Sequence, residues 1–262
     1  METIYHYTDV HGLHGILSGK FWLTDHRFLN DPTEGTYARK ILLDNKNEIL
    51  SECPDAFKEK VYSQLMTSHI GNNENQARVY VASFSAAHDL LSQWRGYCSK
   101  EGGYCIGFNL NKLSKLHKEF TITNCNYEPT ETIRQWKELA EPLVKNFERL
   151  ETGRPFRDGL RGYLMWIIKK GMIGIENKSP GYHEEKEIRI YKELANEQER
   201  VHFRASNGRL IPYIEVDNIS DCIESVTVGP LGDMKQNHEA LEEYLHQKGS
   251  SINLKLSEIS FR

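Results

Sequence analysis

The order of apolar and polar positions divides the chain into short strands and longer helices. Thr3–Tyr7 reads as an opening strand, with His6 on the face opposite Tyr5 and Tyr7 because strand side chains alternate. Asp9 is placed to cap a helix running to Leu17, and Gly19 to stop it. Phe21–Leu23 is a second short strand. In Asp31-Pro32-Thr33-Glu34 an acidic cap, a proline at the first helical position and a glutamate three residues on predict a helix reaching about Asn47. Another helix is expected over Pro54–Ser68, followed by a polar loop, Gly71–Gln76. Strands are clearest at Arg78–Phe84 and Tyr104–Asn109. Between them Leu90, Leu91, Trp94 and Tyr97 recur at helical spacing. Glu131–Leu150 and Gly159–Lys170 form a helical middle. Strands return at Glu187–Tyr191, Leu210–Glu215 and Ile223–Val228, and a helix, Met234–Gln247, precedes a last strand, Ile252–Leu256. Long helices that seldom alternate with the strands predict an α+β fold rather than a doubly wound parallel sheet. No repeat or linker divides the chain, so one domain is expected, with helical insertions at about 34–70 and 129–173.

Composition excludes several classes. A chain of 262 residues, 39% of them hydrophobic, can bury a core without disulfides or metals. With 33 Lys+Arg against 37 Asp+Glu the net charge is -4. A sequence-independent duplex binder is normally basic, so nucleic acid enters only through a local patch. No apolar run approaches the roughly 18 residues of a membrane helix. Met1-Glu2-Thr3-Ile4-Tyr5 lacks the basic flank and apolar run of a signal peptide. Cys53, Cys98, Cys105, Cys125 and Cys222 are scattered, with no C-x-x-C pair, and read as reduced thiols in a cytoplasmic protein. The phosphate-loop, dinucleotide-fingerprint, H-E-x-x-H and G-x-S-x-G signatures are missing. His11 and His14 lie at i, i+3 without a third ligand nearby, so no metal site is expected.

Four segments carry candidate chemistry. His6-Tyr7-Thr8 ends the first strand, where a histidine beside a hydroxyl positions a polar ligand, or else is a core histidine satisfied by backbone. Leu29-Asn30-Asp31-Pro32-Thr33-Glu34 is mainly explained by helix capping. Ser83-Phe84-Ser85, the Trp94/Tyr97 helix and the strand Tyr104-Cys105-Ile106-Gly107-Phe108 together supply hydroxyls and rings suited to a flat heteroaromatic ligand, although such a stripe also builds cores. In Tyr182–Tyr191, the residues Glu185, Glu187 and Arg189 are expected on one face of a strand, opposite Ile188 and Ile190. Carboxylates at i and i+2 lie about 7 Å apart, and like charges tend to raise one pKa. A solvated outer strand face accounts for the same pattern.

Together these segments resemble the ADP-ribosyltransferase superfamily, whose poly-ADP-ribose-polymerase-like members carry a His, Tyr and Glu triad. The chain is also similar to a bacterial family of unknown function with H-Y-[ST], L-N-D-P-x-E, S-F-S followed by W-x-x-Y, and E-x-E-x-R motifs, here spanning His6 to Arg189. The resemblance implies a split antiparallel sheet and NAD as substrate. His6, supported by Thr8 and beside Tyr7, then binds a ribose hydroxyl. Phe84 and Tyr97 sandwich the nicotinamide ring, and Ser83 or Ser85 contacts the carboxamide or ribose. Glu187 stabilises the oxocarbenium ion, and Glu185 serves the acceptor. Phe84 stands where the family has a tyrosine, so only a stacking role carries over. The implied acceptor is a macromolecule, protein or nucleic acid, with single-stranded RNA or DNA suited to the basic run Arg154, Arg157, Arg161, Lys169, Lys170 and Lys178. A toxin or phage-defence effector held by an antitoxin partner is the role implied. An NAD glycohydrolase and a non-catalytic nucleotide-binding module are the alternatives.

Overall fold

The structure is a computed structural model that describes residues 3–29, 36–67, 78–151, 159–194, 200–206 and 208–260. Ten strands among these residues form one mixed sheet: β1 Thr3–Thr8, β2 Phe21–Asp25, β3 Arg78–Ser85, β4 Tyr104–Asn109, β5 Thr121–Asn124, β6 Glu187–Leu194, β7 His202–Ser206, β8 Arg209–Val216, β9 Ile223–Val228 and β10 Asn253–Leu256. Their order is β10-β9-β4-β1-β3-β2-β8-β7, with β6 pairing both β3 and β5. The β9–β10 pair is parallel and the other strand pairs are antiparallel.

The sheet forks at β3. One edge of β3 pairs with β6 along its whole length, from Arg78↔Leu194 to Ser85↔Glu187. The other edge is divided. β2 pairs with Tyr80 and Val81, whereas β1 pairs only with Ser85, through Tyr5. Between those contacts β1 and β2 separate, and Ala82–Phe84 has no strand partner on that side. His6 enters the gap, its Nδ1 2.9 Å from the Ser83 carbonyl oxygen.

Two apolar clusters hold this frame. On one face of the sheet Ile4, Phe84, Ile106, Phe108, Ile188 and Ile190 pack with Leu13 and Ile16 of α1 (Val10–Leu17) and with Leu241 and Leu245 of a late helix, Met234–Gln247. Asp9 caps α1 by accepting from the Gly12 amide at 2.9 Å, and Gly19 (φ 85°) turns the chain out of it. The second cluster joins the two helical stretches expected as insertions. It unites α2 Tyr37–Asp44, α3 Lys46–Ile49 and α4 Asp55–Met66 with two helices from the middle of the chain, Pro129–Glu151 and Gly159–Glu176, through Leu42, Phe57, Val61, Leu139 and Leu143. The indole N–H groups of Trp136 and Trp166 donate to the carbonyls of Ala38 and Leu139 at 2.8 and 2.9 Å.

Several boundaries differ from expectation. The helix expected from Asp31 has its start outside the described residues, and its described part breaks at Asn45 into α2 and α3. A helix at Leu110–Leu116 and the strands β5 and β7 have no counterpart in the sequence reading. β7, His-Phe-Arg-Ala-Ser, exposes its apolar Phe203 and Ala205 at the sheet edge, so apolar burial leaves no alternation to read. No described helix is long and apolar enough to cross a membrane.

Candidate functional site

A cleft opens where β1 and β2 part. His6, Ser83, Tyr97, Glu185 and Glu187 all line it, with Tyr7 and Phe84 at its wall. Its volume is about 170 Å³, near the ~150 Å³ of a cavity that holds one benzene ring. One flat ring fits inside, and the remainder of a larger ligand must lie along the open side.

His6 is neutral there. Burial lowers its pKa below the ordinary 6.5, opposed by the Ser83 carbonyl, which raises it. A carbonyl only accepts, so Nδ1 carries the hydrogen and Nε2 keeps a lone pair for a ligand hydroxyl. The ring also packs against Phe21 and Phe84, each at 5.5 Å between centroids. His6 therefore has structural work as well. His6→Ala leaves the Ser83 carbonyl without this donor and should cost about 1–3 kcal/mol in urea denaturation.

Across the cleft Glu187 and Arg189 share the face of Ser83, with Ser83 opposite Arg189 in the ladder. They are 4% and 1% exposed, so this is an inward-facing pair and not a solvated strand face. Arg189 donates from Nε to Glu187 Oε1 at 2.8 Å and from its terminal nitrogen to Oε2 at 3.0 Å. Lys178, itself buried, donates to Glu187 at 2.9 Å and to Glu185 at 2.5 Å. Two carboxylates and two cations thus form a neutral cluster. Burial pushes the Glu187 carboxyl up, but Arg189, Lys178 and the Ser83 hydroxyl outweigh it and bring the pKa down to about 2. The like-charge elevation expected from the sequence is absent at Glu187 because Lys178 bridges the two carboxylates and Arg189 holds Glu187 from its other side. Folding holds this group below its ordinary 4.5, so the unfolded chain takes up the proton first. The Glu187 contribution to stability is complete above pH 4.5 and should be lost as pH falls toward 2. Denaturant titrations across that window check it, and a pH-independent midpoint contradicts it.

Glu185 corrects the sequence reading. It ends a 3-10 turn, Pro180–Glu185, and Lys186 in the left-handed conformation (φ 44°) then swings the chain into β6. Glu185 is consequently not on the strand face of Glu187. It reaches the same cluster through Lys178, and its other oxygen accepts the Tyr97 hydroxyl at 3.4 Å. With its side chain 15% exposed, against 3% for Glu187, it is the more accessible carboxylate.

Other expected roles also change. Phe84 points into the sheet core, stacked on Phe21 at 5.7 Å and edge-on to Phe108 at 5.5 Å. Strand alternation puts its ring on the face opposite Ser83, so it forms no sandwich with Tyr97, which packs beside Tyr7 and Trp94. The Tyr7 hydroxyl donates to the Ala87 carbonyl and accepts from the Leu90 amide, both at 3.0 Å, fixing the approach to α5 (Leu91–Tyr97). Ser85 donates to the Glu185 carbonyl at 2.6 Å and so ties β3 to the turn. Thr8 lies against Gly12, where a Cβ would come within 1.9 Å of its hydroxyl, so it packs on α1 and does not line the cleft. Leu29 borders the cleft, but Asn30–Glu34 lies outside the described residues.

The expected basic run does not make a charged strip among the described residues. Lys170 donates to the Gln64 and Thr67 carbonyls, Lys178 belongs to the carboxylate cluster, and Lys169 pairs with Glu138 at 3.2 Å. Arg154, Arg157 and the Arg161 side chain lie outside the described residues. Sequence reasoning missed Gln93 and Arg204 in the cleft and Tyr127, whose hydroxyl accepts from the Glu187 amide at 2.8 Å. Trp22 was legible in principle, as the one exposed residue between buried Phe21 and Leu23.

Fold and site define a mixed α/β protein with a cleft at the fork of its sheet. A family model described as "Protein of unknown function (DUF2971)" matches residues 93–190. That stretch contains Gln93, Tyr97, Tyr127, Lys178, Glu185, Glu187 and Arg189, and stops short of His6 and Ser83. No curated protein and no solved structure matches the chain.

Proposed function

We propose that the cleft binds NAD, breaks the bond between nicotinamide and ribose, and transfers ADP-ribose to a macromolecular acceptor. The observation that carries this reading is the fork at Ser83. It sets a neutral His6 and the paired carboxylates Glu185 and Glu187 around a space sized for one ring. His6 Nε2 takes a ribose hydroxyl, and the nicotinamide ring enters beside Tyr97 and Ser83. As the glycosidic bond breaks, its electron pair leaves with nicotinamide and positive charge develops on the ribose carbon. A fixed carboxylate is the main electrostatic aid for that charge. Both oxygens of Glu187 are already held by Arg189 and Lys178. Glu185 shares a single lysine and is the more accessible, so we assign the ion-stabilising role to Glu185. Glu187 positions it through Lys178. The resemblance instead gives the ion-stabilising role to Glu187 and the acceptor to Glu185. The acceptor lone pair then bonds to the ribose carbon, and its proton passes to solvent.

Such chemistry suits a toxin or phage-defence effector restrained by an antitoxin partner. Purified protein is to be given NAD alone and with RNA, single-stranded DNA or cell lysate, while nicotinamide and labelled acceptor are measured separately. Release that rises with a labelled acceptor supports transfer. Equal release in every arm assigns water as the acceptor, the glycohydrolase reading. Absence of nicotinamide in all arms overturns the proposal.

A further inference from the structure

The open side of the cleft carries a cation and an aromatic ring that the nicotinamide chemistry does not use. Trp22 and Thr24 lie two residues apart on β2, on one face, and therefore roughly 7 Å apart. Tyr213 of β8 sits opposite Thr24 in the ladder, and its ring lies 4.5 Å from that of Trp22 at 37°. Tyr213 thus backs Trp22, which remains 39% exposed and lines the cleft. Arg204 projects from β7, also lining the cleft, and donates to the Thr24 hydroxyl at 3.4 Å. Its Nε is buried without a hydrogen-bond partner, and no carboxylate pairs with Arg204 among the described residues.

A buried donor left unpaired is disfavoured. A guanidinium meets that need best with a planar or tetrahedral oxyanion, and phosphate is its common partner. A backed, open indole offers a stacking platform to any nucleobase. Glu215, opposite Trp22 in the ladder, and the cleft carboxylates Glu185 and Glu187 oppose an anion, but the latter two are offset by Lys178 and Arg189. We propose that this side of the cleft is a subsite for a nucleoside phosphate, with the phosphate on Arg204 and Thr24 and the base on Trp22. The subsite adjoins the ring-sized space, and its test requires no turnover, so it stands or falls apart from the nicotinamide chemistry.

The full chain is titrated calorimetrically with AMP, adenosine and a single-stranded RNA hexamer of adenylates. AMP should bind at least tenfold more tightly than adenosine. Arg204→Gln should bring AMP down to the adenosine level, with little change in melting temperature because Arg204 makes one long hydrogen bond. Trp22→Leu should weaken AMP and adenosine alike, and it carries the test if the arginine variant does not fold. A hexamer bound more tightly than AMP, still dependent on Arg204, assigns the subsite to a strand. Equal affinities assign it to a free nucleotide. AMP that binds no better than adenosine, or that is unaffected by Arg204→Gln, overturns the proposal, as does unchanged binding in Trp22→Leu.

Discussion

Glu187→Gln should destabilise the protein by about 3–5 kcal/mol, the usual result of removing one partner from a buried ion pair. The carboxylate is 4% exposed and accepts from Arg189 at both oxygens and from Lys178. The amide keeps the shape but supplies one donor where two cations point, so Arg189, 1% exposed, loses its compensating charge. Urea denaturation of wild type, Glu187→Gln, Lys178→Met and the double variant measures the coupling directly. The double variant should recover part of the loss, since it removes one of the stranded cations. A loss below about 1 kcal/mol for Glu187→Gln means that water or rearrangement solvates the cluster. A defect in turnover caused by Glu187→Gln therefore does not by itself identify a catalytic residue.

Glu185→Gln is the cleaner chemical test. It should lower nicotinamide release by about 10²–10³, the typical effect of deleting one electrostatic group that acts in the transition state. Its cost in stability should be smaller, because Lys178 keeps Glu187 as a partner and the Glu185 side chain is 15% exposed. NAD affinity should change little, since the lost interaction strengthens only as positive charge develops. Single-turnover release together with the dissociation constant for NAD separates these effects. Wild-type release from the glutamine variant removes Glu185 from the reacting centre. Normal release from Glu185→Gln alongside a dead but folded Glu187→Gln restores the roles implied by the resemblance.

Much of the secondary structure was legible because it is a local matter. β4, β9 and the Met234–Gln247 helix fall at their expected bounds, each marked by apolar spacing within one element. His6, Ser83, Tyr97, Glu185 and Glu187 were singled out from residue type and spacing, and the fold brings all five to one cleft. β7 escaped notice because an edge strand with exposed apolar residues leaves no burial pattern, and Arg204 escaped with it. From the sequence Lys178 reads as part of a basic surface, since nothing local separates a buried lysine from a solvated one.

The sequence by itself determined most of the strands and helices, their mixture in one chain, and which side of β1 and β6 each residue takes. Period-two and 3.6-residue repeats encode those features within a few neighbouring positions. Only the tertiary structure decided that β1 and β2 diverge on β3, that Phe84 faces the core, and that Lys178 and Arg189 neutralise the carboxylates. Each of these depends on which strands share an edge and which groups are removed from water together. Lys178 meets Glu187 nine residues away because the 3-10 turn folds back between them, and His6 meets Ser83 across 77 residues because the sheet forks there. Such contacts are set by the packing of the whole chain, where burial makes an unpaired charge or carbonyl costly enough to fix its partner.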